Sequence, residues 1–274
     1  MLSTVLTDLH LARRLERAEG LANAAFVEAR ARFMPESGAE WIEIAGAYAM
    51  YDQPGSPCTQ TFGLGLFQMP TAADFDRLET FFRERCADVH HEVCPLADKA
   101  LLAVLSDRGY RPIELTSVLF LPLGTANAPK RESAVRVRIA ADDEQDLWAR
   151  TLAEGWSDTV DIPGLADLMR ISASRNGSLP FLAELDGRPV AAAALAIHNG
   201  VGLLAGASTI PQWRNRGAQA ALLQSRLDYA VQAGCDLAMI GAEPGSASQR
   251  NAERQGFRIG YTRIKWALNN PESR

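Results

Sequence analysis

The sequence predicts a mixed α/β protein, of the α+β kind, built from two successive units. Three observations carry this expectation. Strand-length apolar runs and helix-length amphipathic runs succeed one another along nearly all of the 274 residues. Residues 124–132 hold Gly, Pro, Asn and Lys and little that could build a core, so they divide the chain as a linker. Residues 201–234 read as a strand, a sharp turn and a helix, with Arg214, Arg216 and Gly217 gathered at the turn.

In the first unit, residues 3–33 read as amphipathic helix. Leu6, Leu9, Leu11 and Leu15 recur at helical spacing between charges. Pro35 to Gly38 stops the pattern. Residues 41–51 read as one strand, 52–57 as a turn rich in Pro, Gly and Ser, and 62–69 as a second strand. A helix is expected over 74–85, with Phe75, Leu78, Phe81 and Phe82 on one side. A short strand at 87–93, a helix at 96–107 ended by Gly109, and a long strand at 111–123 complete the unit.

The second unit opens with a strand at 135–139 and a helix at 142–154. A loop at 156–163 leads to a helix at 164–175. Strands at 179–185 and 189–198 form a hairpin across Asp186-Gly187-Arg188. A strand at 201–208 follows, then the turn and a helix to Gly234. A strand at 237–242, a helix at 248–255 ended by Gly256, and a strand at 258–268 come last; residues 269–274 are expected to fray.

The turn after the 201–208 strand carries the chemistry. Pro211 stops the strand, and Gly217 stands where the loop becomes a helix. A helix start leaves backbone N–H groups without partners and carries the positive end of the helix dipole. A residue without a side chain lets a phosphate approach those N–H groups. Arg214 and Arg216 add positive charge, so the physical reading is an anion site for a diphosphate. An ordinary strand–turn–helix with surface arginines carries the same residues, and only context separates the two.

The spacing Arg214-x-x-Gly217-x-x-Ala220 resembles the pyrophosphate loop of the GNAT superfamily of N-acetyltransferases, written Gln/Arg-x-x-Gly-x-Gly/Ala. The second small position falls on Gln219, a departure. Ser248, Asn251, Gly256 and Phe257 resemble the family's C-terminal signature helix, and the order of elements over 135–268 is similar to its fold. The resemblance implies tandem acetyltransferase-like domains, each a mixed, mostly antiparallel sheet flanked by helices. Residues 1–124 would be a degenerate copy without a phosphate loop, 125–133 a linker and 134–274 the acetyltransferase domain. Helix, glycine, aromatic residue and strand recur in that order around Gly109 and Gly256, which are 147 apart (256 − 109). In the first copy the loop position holds Met69 to Asp74, with no Arg-x-x-Gly, and Asp74 would repel a phosphate.

The same resemblance implies an N-acyltransferase that uses acetyl-CoA, or another acyl-CoA, as co-substrate and passes the acyl group to an amine by direct attack. A non-catalytic acyl-CoA-binding regulatory protein is the alternative. The pantetheine arm would bond to the backbone of Ser208, Thr209 and Ile210, as an added strand between two splayed ones. The pyrophosphate would rest on the amides of Arg214, Asn215, Arg216, Gly217, Ala218, Gln219 and Ala220, with Asn251 also contributing to the cofactor site. Where many relatives place the acid Tyr, this sequence has Ala252; Tyr261 is the nearest replacement. Ser248 and Asn251 would orient the thioester, or else cap and decorate their helix. No Glu lies on the strand before the loop, so Glu154 is the candidate base, with Asp158 and Asp161 in the following loop. His198 titrates in a useful range but adjoins a hairpin end. Trp156 floors the acceptor site or packs.

A formal net charge of −5 argues against a general nucleic-acid binder. Cys58, Cys86, Cys94 and Cys235 contain no Cys-x-x-Cys, and His90 and His91, adjacent on a strand, point to opposite faces, so no metal site is expected. Cys235 has no His near it in sequence and is not expected to act as a nucleophile. The first 25 residues lack a secretory-signal core and no run is long enough to span a bilayer. The expectation is a cytoplasmic monomer or homodimer whose partner is a small-molecule or peptide amine, not nucleic acid or membrane.

Overall fold

A computed structural model describes residues 5–124, 134–159 and 164–270. In chain order they form α1 (Leu9–Phe33), β1 (Glu40–Ile44), β2 (Ala47–Tyr51), β3 (Gln60–Phe62), α2 (Ala72–Arg83), β4 (Val89–Val93), α3 (Ala100–Asp107), β5 (Arg111–Pro122), β6 (Arg136–Ile139), α4 (Gln145–Gly155), α5 (Leu165–Ser174), β7 (Ser178–Leu185), β8 (Arg188–His198), β9 (Val201–Thr209), α6 (Ala218–Gln232), β10 (Leu237–Ala242), α7 (Ala247–Arg254) and β11 (Arg258–Leu268). Nearly all of the expected linker, the loop residue Asp161 and positions 271–274 lie outside the described residues. Asn270, expected to fray, is held: its backbone N–H donates to Asp88 at 2.7 Å.

Three elements differ from the sequence reading. The single strand expected over 41–51 is the hairpin β1–β2, because Ala45 and Gly46 both take positive φ and reverse the chain. The strand expected over 62–69 stops at Phe62, where Gly63 and Gly65 turn away from the sheet. The helix expected from residue 96 begins only at Ala100, after a turn in which Asp98 accepts the Ala100 N–H at 2.9 Å.

Packing divides the chain into two compact units, with one border beside the expected linker and a second between Ala238 and Met239. One unit runs to Leu121 and resumes at Met239; the other is Pro122–Ala238. The end of the chain, read from sequence as part of a 134–274 domain, packs with the first half. The cause is β11. In the first unit the strand order is β1-β2-β3-β4-β11-β5-β10, so β11 sits antiparallel between β4 and β5. Only β3 and β4 run parallel among the pairs described there. The apolar face of α2 (Phe75, Leu78, Phe82) and Leu101 and Leu105 of α3 bury against β2, β4 and Trp266 of β11.

The β5–β11 pair is symmetric on itself. Arg258 faces Phe120 and Ala267 faces Arg111; 258 − 111 and 267 − 120 are both 147. Its two register slips leave Gly260 and Ile113 as extra residues, and 260 − 113 is again 147. The helices that feed these strands end alike. Tyr110 N–H donates to the Leu105 carbonyl at 2.9 Å, and Phe257 N–H to the Ala252 carbonyl at 3.1 Å. The spacing that separates Gly109 from Gly256 in the sequence is therefore also the register of a strand exchange.

β11 carries Tyr261, Arg263 and Lys265 on one face, at alternate positions. Arg263 is 2% exposed and pairs with Glu19 at 2.7 Å, Glu16 at 3.4 Å and Glu92 at 3.4 Å. The Tyr261 hydroxyl donates to Glu16 at 2.7 Å, and Lys265 reaches Glu92 at 3.4 Å and Glu114 at 2.6 Å. Burial pushes the Glu16 carboxyl up to about 7, against the pull of Arg263.

In the second unit the strand order is β9-β8-β7-β6, with every neighbouring pair antiparallel. Trp148 of α4 packs with Leu182, while Phe181 meets Tyr229 of α6 edge-on at 6.0 Å. Adjacent strand residues point oppositely, so α4 and α6 cover opposite faces. With both faces covered, β8 reads as an unbroken small apolar run, Val190 to Ala196, all buried.

Candidate functional site

Near its end, β9 carries a bulge. Ala193 faces Ala207 but Ala194 faces Ala205, leaving Gly206 as the extra residue, with φ +50. A Cβ on Gly206 would stand 3.7 Å from both Leu152 and Trp156, so the bulge lies over the end of α4. Two residues later the Ser208 hydroxyl, buried, donates to the Leu152 carbonyl at 2.7 Å. Gly155 closes the same contact. A Cβ there would lie 2.2 Å from Ser208 Oγ and 3.0 Å from Thr209 N. Gly155→Ala is therefore expected to destabilise the protein by ~1–3 kcal/mol in urea unfolding, since Ser208 is already anchored; a loss under about 0.5 kcal/mol would show that the contact relaxes freely.

The turn after β9 is built from both ends. Ile210 N–H donates to the Val190 carbonyl at 3.0 Å, and its own carbonyl accepts from Trp213 N–H at 2.9 Å. Ile210 thus has both main-chain groups engaged within the unit, unlike the pantetheine contact expected of it. Asn215 and Gly217 take positive φ, +63 and +84, and swing the chain into α6. Gly217 is the helix cap and has no side chain to bond the helix start. Ala221 N–H makes the bond to the Gly217 carbonyl at 3.0 Å. The amides of Ala218, Gln219 and Ala220 therefore precede the helix's own ladder. A Cβ at Gly217 would meet nothing within 4 Å, so no neighbour crowds the cap itself, while Ala218 just after it is buried.

Gln219, the departure from the family spacing, does not hang over that opening. Its Nε2 donates to Thr209 Oγ1 at 2.9 Å and ties the helix start to the strand end. Arg214 is also turned inward. Its Nε donates to the Thr209 carbonyl at 3.2 Å, its Nη2 to the Gly155 carbonyl at 3.0 Å, and its two Nη atoms grip Asp158 at 2.6 and 2.7 Å. Where the sequence reading had both guanidinium groups facing an anion, that of Arg214 bonds within the chain. Arg216 is exposed, with its guanidinium carbon 4.8 Å from the Trp213 ring centroid. The Arg214 hydrogen bonds hold the Asp158 carboxyl below the usual carboxylate range.

The remaining candidates are placed as follows. Glu154 is exposed in the last turn of α4, one residue from Gly155. Trp156 packs partly buried against the α4 core as well as near Gly206. His198 pairs with Val201 at the far end of β8–β9 from Thr209. Eight residues of strand put it ~26 Å from the turn, out of reach; burial also lowers its pKa. Ser248, Asn251 and Tyr261 belong to the other compact unit. Ser248 and Asn251 are exposed on α7, whose cap is Ser246 and not Ser248, and Asn251 Oδ1 accepts from Arg254 at 2.8 Å. Tyr261 is buried, its hydroxyl is committed to Glu16, and burial raises its pKa, which suits a structural group better than a proton donor. Burial likewise raises the Cys235 pKa. Among the described residues no group of His, Cys, Asp and Glu is arranged to hold a metal, and no helix is long and apolar enough to cross a membrane.

Sequence reasoning missed Gly206 and the role of Gly155. A glycine inside a strand pattern is the signal for Gly206. Gly155 has no such local signal, because it ends a helix as many glycines do and its role depends on Ser208, 53 residues further along the chain (208 − 155).

A bulged antiparallel strand, a left-handed glycine and an uncapped helix start are thus set in a mixed α/β sheet between helices. Residues 142–257 match the model of the Acetyltransferase (GNAT) family. No curated protein matches the sequence. Among solved structures, a GCN5-related N-acetyltransferase from Kribbella flavida is 20% identical, with a TM-score of 0.59 over 90% of this chain and 95% of that one. Another GCN5-related N-acetyltransferase, from Sphaerobacter thermophilus, is 16% identical, with a TM-score of 0.58 over 84% of this chain and 75% of that one. A tandem GNAT protein from the clavulanic acid biosynthesis pathway is 13% identical, with a TM-score of 0.55 over 72% and 69%. These likenesses show a mixed α/β fold shared over most of the chain.

Proposed function

We propose that the protein is an N-acyltransferase that takes acetyl-CoA, or another acyl-CoA, and acylates the amine of a small molecule or peptide. The start of α6 behind Gly217, where the amides of Ala218, Gln219 and Ala220 precede the helix's own ladder inside the GNAT-matched segment, supports this reading. These amides can donate to a diphosphate in the positive field of the fifteen-residue helix α6. Arg216 adds the exposed charge, while Arg214 and Gln219 hold the turn in shape.

When bound, acyl-CoA supplies the thioester that the amine attacks. The chain's part is to bind and orient. The Gly206 bulge leaves a main-chain position outside the β8 ladder, able to bond an acyl carbonyl or a pantetheine amide. Ser208 and Thr209 present backbone beside it. Glu154, exposed at the end of α4, is the group we propose to take the amine's proton. The first half is proposed to be a copy that no longer binds the cofactor. At its counterpart of α6, the start of α2 is closed by its own side chains: Thr71 Oγ1 accepts the Asp74 N–H at 3.2 Å, and Asp74 accepts the Thr71 N–H at 2.9 Å.

One observation favours the second reading, an acyl-CoA-binding regulator. The acid position of the family is a buried alanine, Ala252, and the replacement, Tyr261, is occupied. Thiol release from acetyl-CoA across a panel of amines decides between them: turnover supports the enzyme, tight binding without turnover the regulator. In calorimetry, Arg216→Ala is expected to weaken CoA roughly fivefold, the worth of one exposed charge–phosphate contact, and to leave pantetheine unchanged. Equal loss for both ligands would remove the diphosphate from the turn.

A further inference from the structure

We propose that Asp158 is a positioning residue for the diphosphate turn, acting by keeping Arg214 out of the anion site and locked across the loop. This rests on the acyl-CoA reading above. Four of the five guanidinium donors' possible bonds are made, to Thr209, to Gly155 and twice to Asp158. The fork therefore joins the end of β9, the end of α4 and the segment after α4 into one brace. Asp158 is the only charged member of that brace, and a two-point carboxylate–guanidinium grip fixes direction as well as distance. Asn215 and Gly217, next in the chain, are in left-handed conformations that need such a fixed starting point to present the α6 amides outward.

The alternative role for Arg214 is a direct phosphate ligand, held in reserve by Asp158. The two roles predict opposite signs. As a brace, Asp158→Asn loosens the turn and raises the Kd for CoA roughly fivefold, with pantetheine unaffected. Arg214→Lys, which keeps the charge but not the fork, gives the same loss, and the double variant is no worse than either single one. As a reserve ligand, Asp158→Asn frees the guanidinium and tightens CoA, and Arg214→Lys is nearly silent; either result overturns the proposal. Amide hydrogen exchange of the ligand-free protein supplies an arm that needs no CoA. The brace requires faster exchange at residues 215–219 in Asp158→Asn than in the parent chain, at unchanged global stability, and unchanged exchange there refutes it. If the parent chain binds no CoA while exchange still responds, the acyl-CoA reading falls and the brace stands.

Discussion

Arg263→Ala is expected to cost the protein ~3–5 kcal/mol, the loss typical of removing one partner of a buried ion pair. Arg263 is 2% exposed, and around it stand Glu16, Glu19 and Glu92, of which Glu16 and Glu92 are nearly as buried. Lys265 reaches only Glu92 and Glu114. Without the guanidinium, Glu16 keeps only the Tyr261 hydroxyl, so it must stay protonated, while Glu19 must turn to water. Equilibrium unfolding in urea measures this, and a loss below about 1 kcal/mol would mean the cluster rearranges without Arg263. The pH dependence supplies a check with a definite sign. Glu16 has a folded pKa raised from 4.5 to about 7, so the folded state holds its proton more tightly than the unfolded chain does. Its contribution is full below about 4.5 and is lost as pH rises through about 7, an effect of ~3 kcal/mol across that window. Glu16→Gln, which cannot ionise, is expected to flatten that part of the stability profile. An unchanged slope between pH 5 and 8 would show that Glu16 is not the titrating group.

Neither half of the chain is expected to fold alone. β11 pairs along one edge with β4, Val89 to Val93, and along the other with β5, Arg111 to Phe120. A fragment of residues 134–274 leaves both edges open, with a long row of unpaired backbone groups on each. It also strips Arg263 and Lys265 of Glu16, Glu19, Glu92 and Glu114. A fragment of residues 1–124 has the complementary defect, a gap between β4 and β5 beside the buried Glu16 and Glu92 and the half-buried Glu19, without the cation that pairs them. The expected outcome is aggregation or a non-cooperative melt for each fragment, and a soluble complex when both are co-expressed. A cooperatively folded 134–274 fragment that binds CoA would mean that β11 can find other partners.

This contrasts with the domain plan suggested by the sequence, which cut the chain at its least core-like stretch. Packing groups 239–270 with the first half instead, because a strand pattern such as 258–268 states how apolar each position is and not which strand lies beside it. The 147-residue spacing was visible in Gly109 and Gly256, but that it sets the register of one strand on another became visible only in the pairing of Arg258 with Phe120 and of Arg111 with Ala267.

The anion turn divides in the same way. Pro211, Gly217 and the leucines of α6 are local signals, since strand ends, left-handed turns and helix faces depend on residues a few positions apart; these the sequence determined, together with the mixed α/β class and the GNAT resemblance. The direction of a long side chain is not local. Arg214 had two acceptors available in principle, a diphosphate or a carboxylate of its own chain, and its contact with Asp158, 56 residues earlier, is not written in the local sequence. Gln219 and Tyr261 were decided likewise, by Thr209 and by Glu16, 245 residues away. Tertiary structure decided these because hydrogen bonds and ion pairs are short-ranged, and which groups come within about 3 Å is fixed by the packing of distant elements.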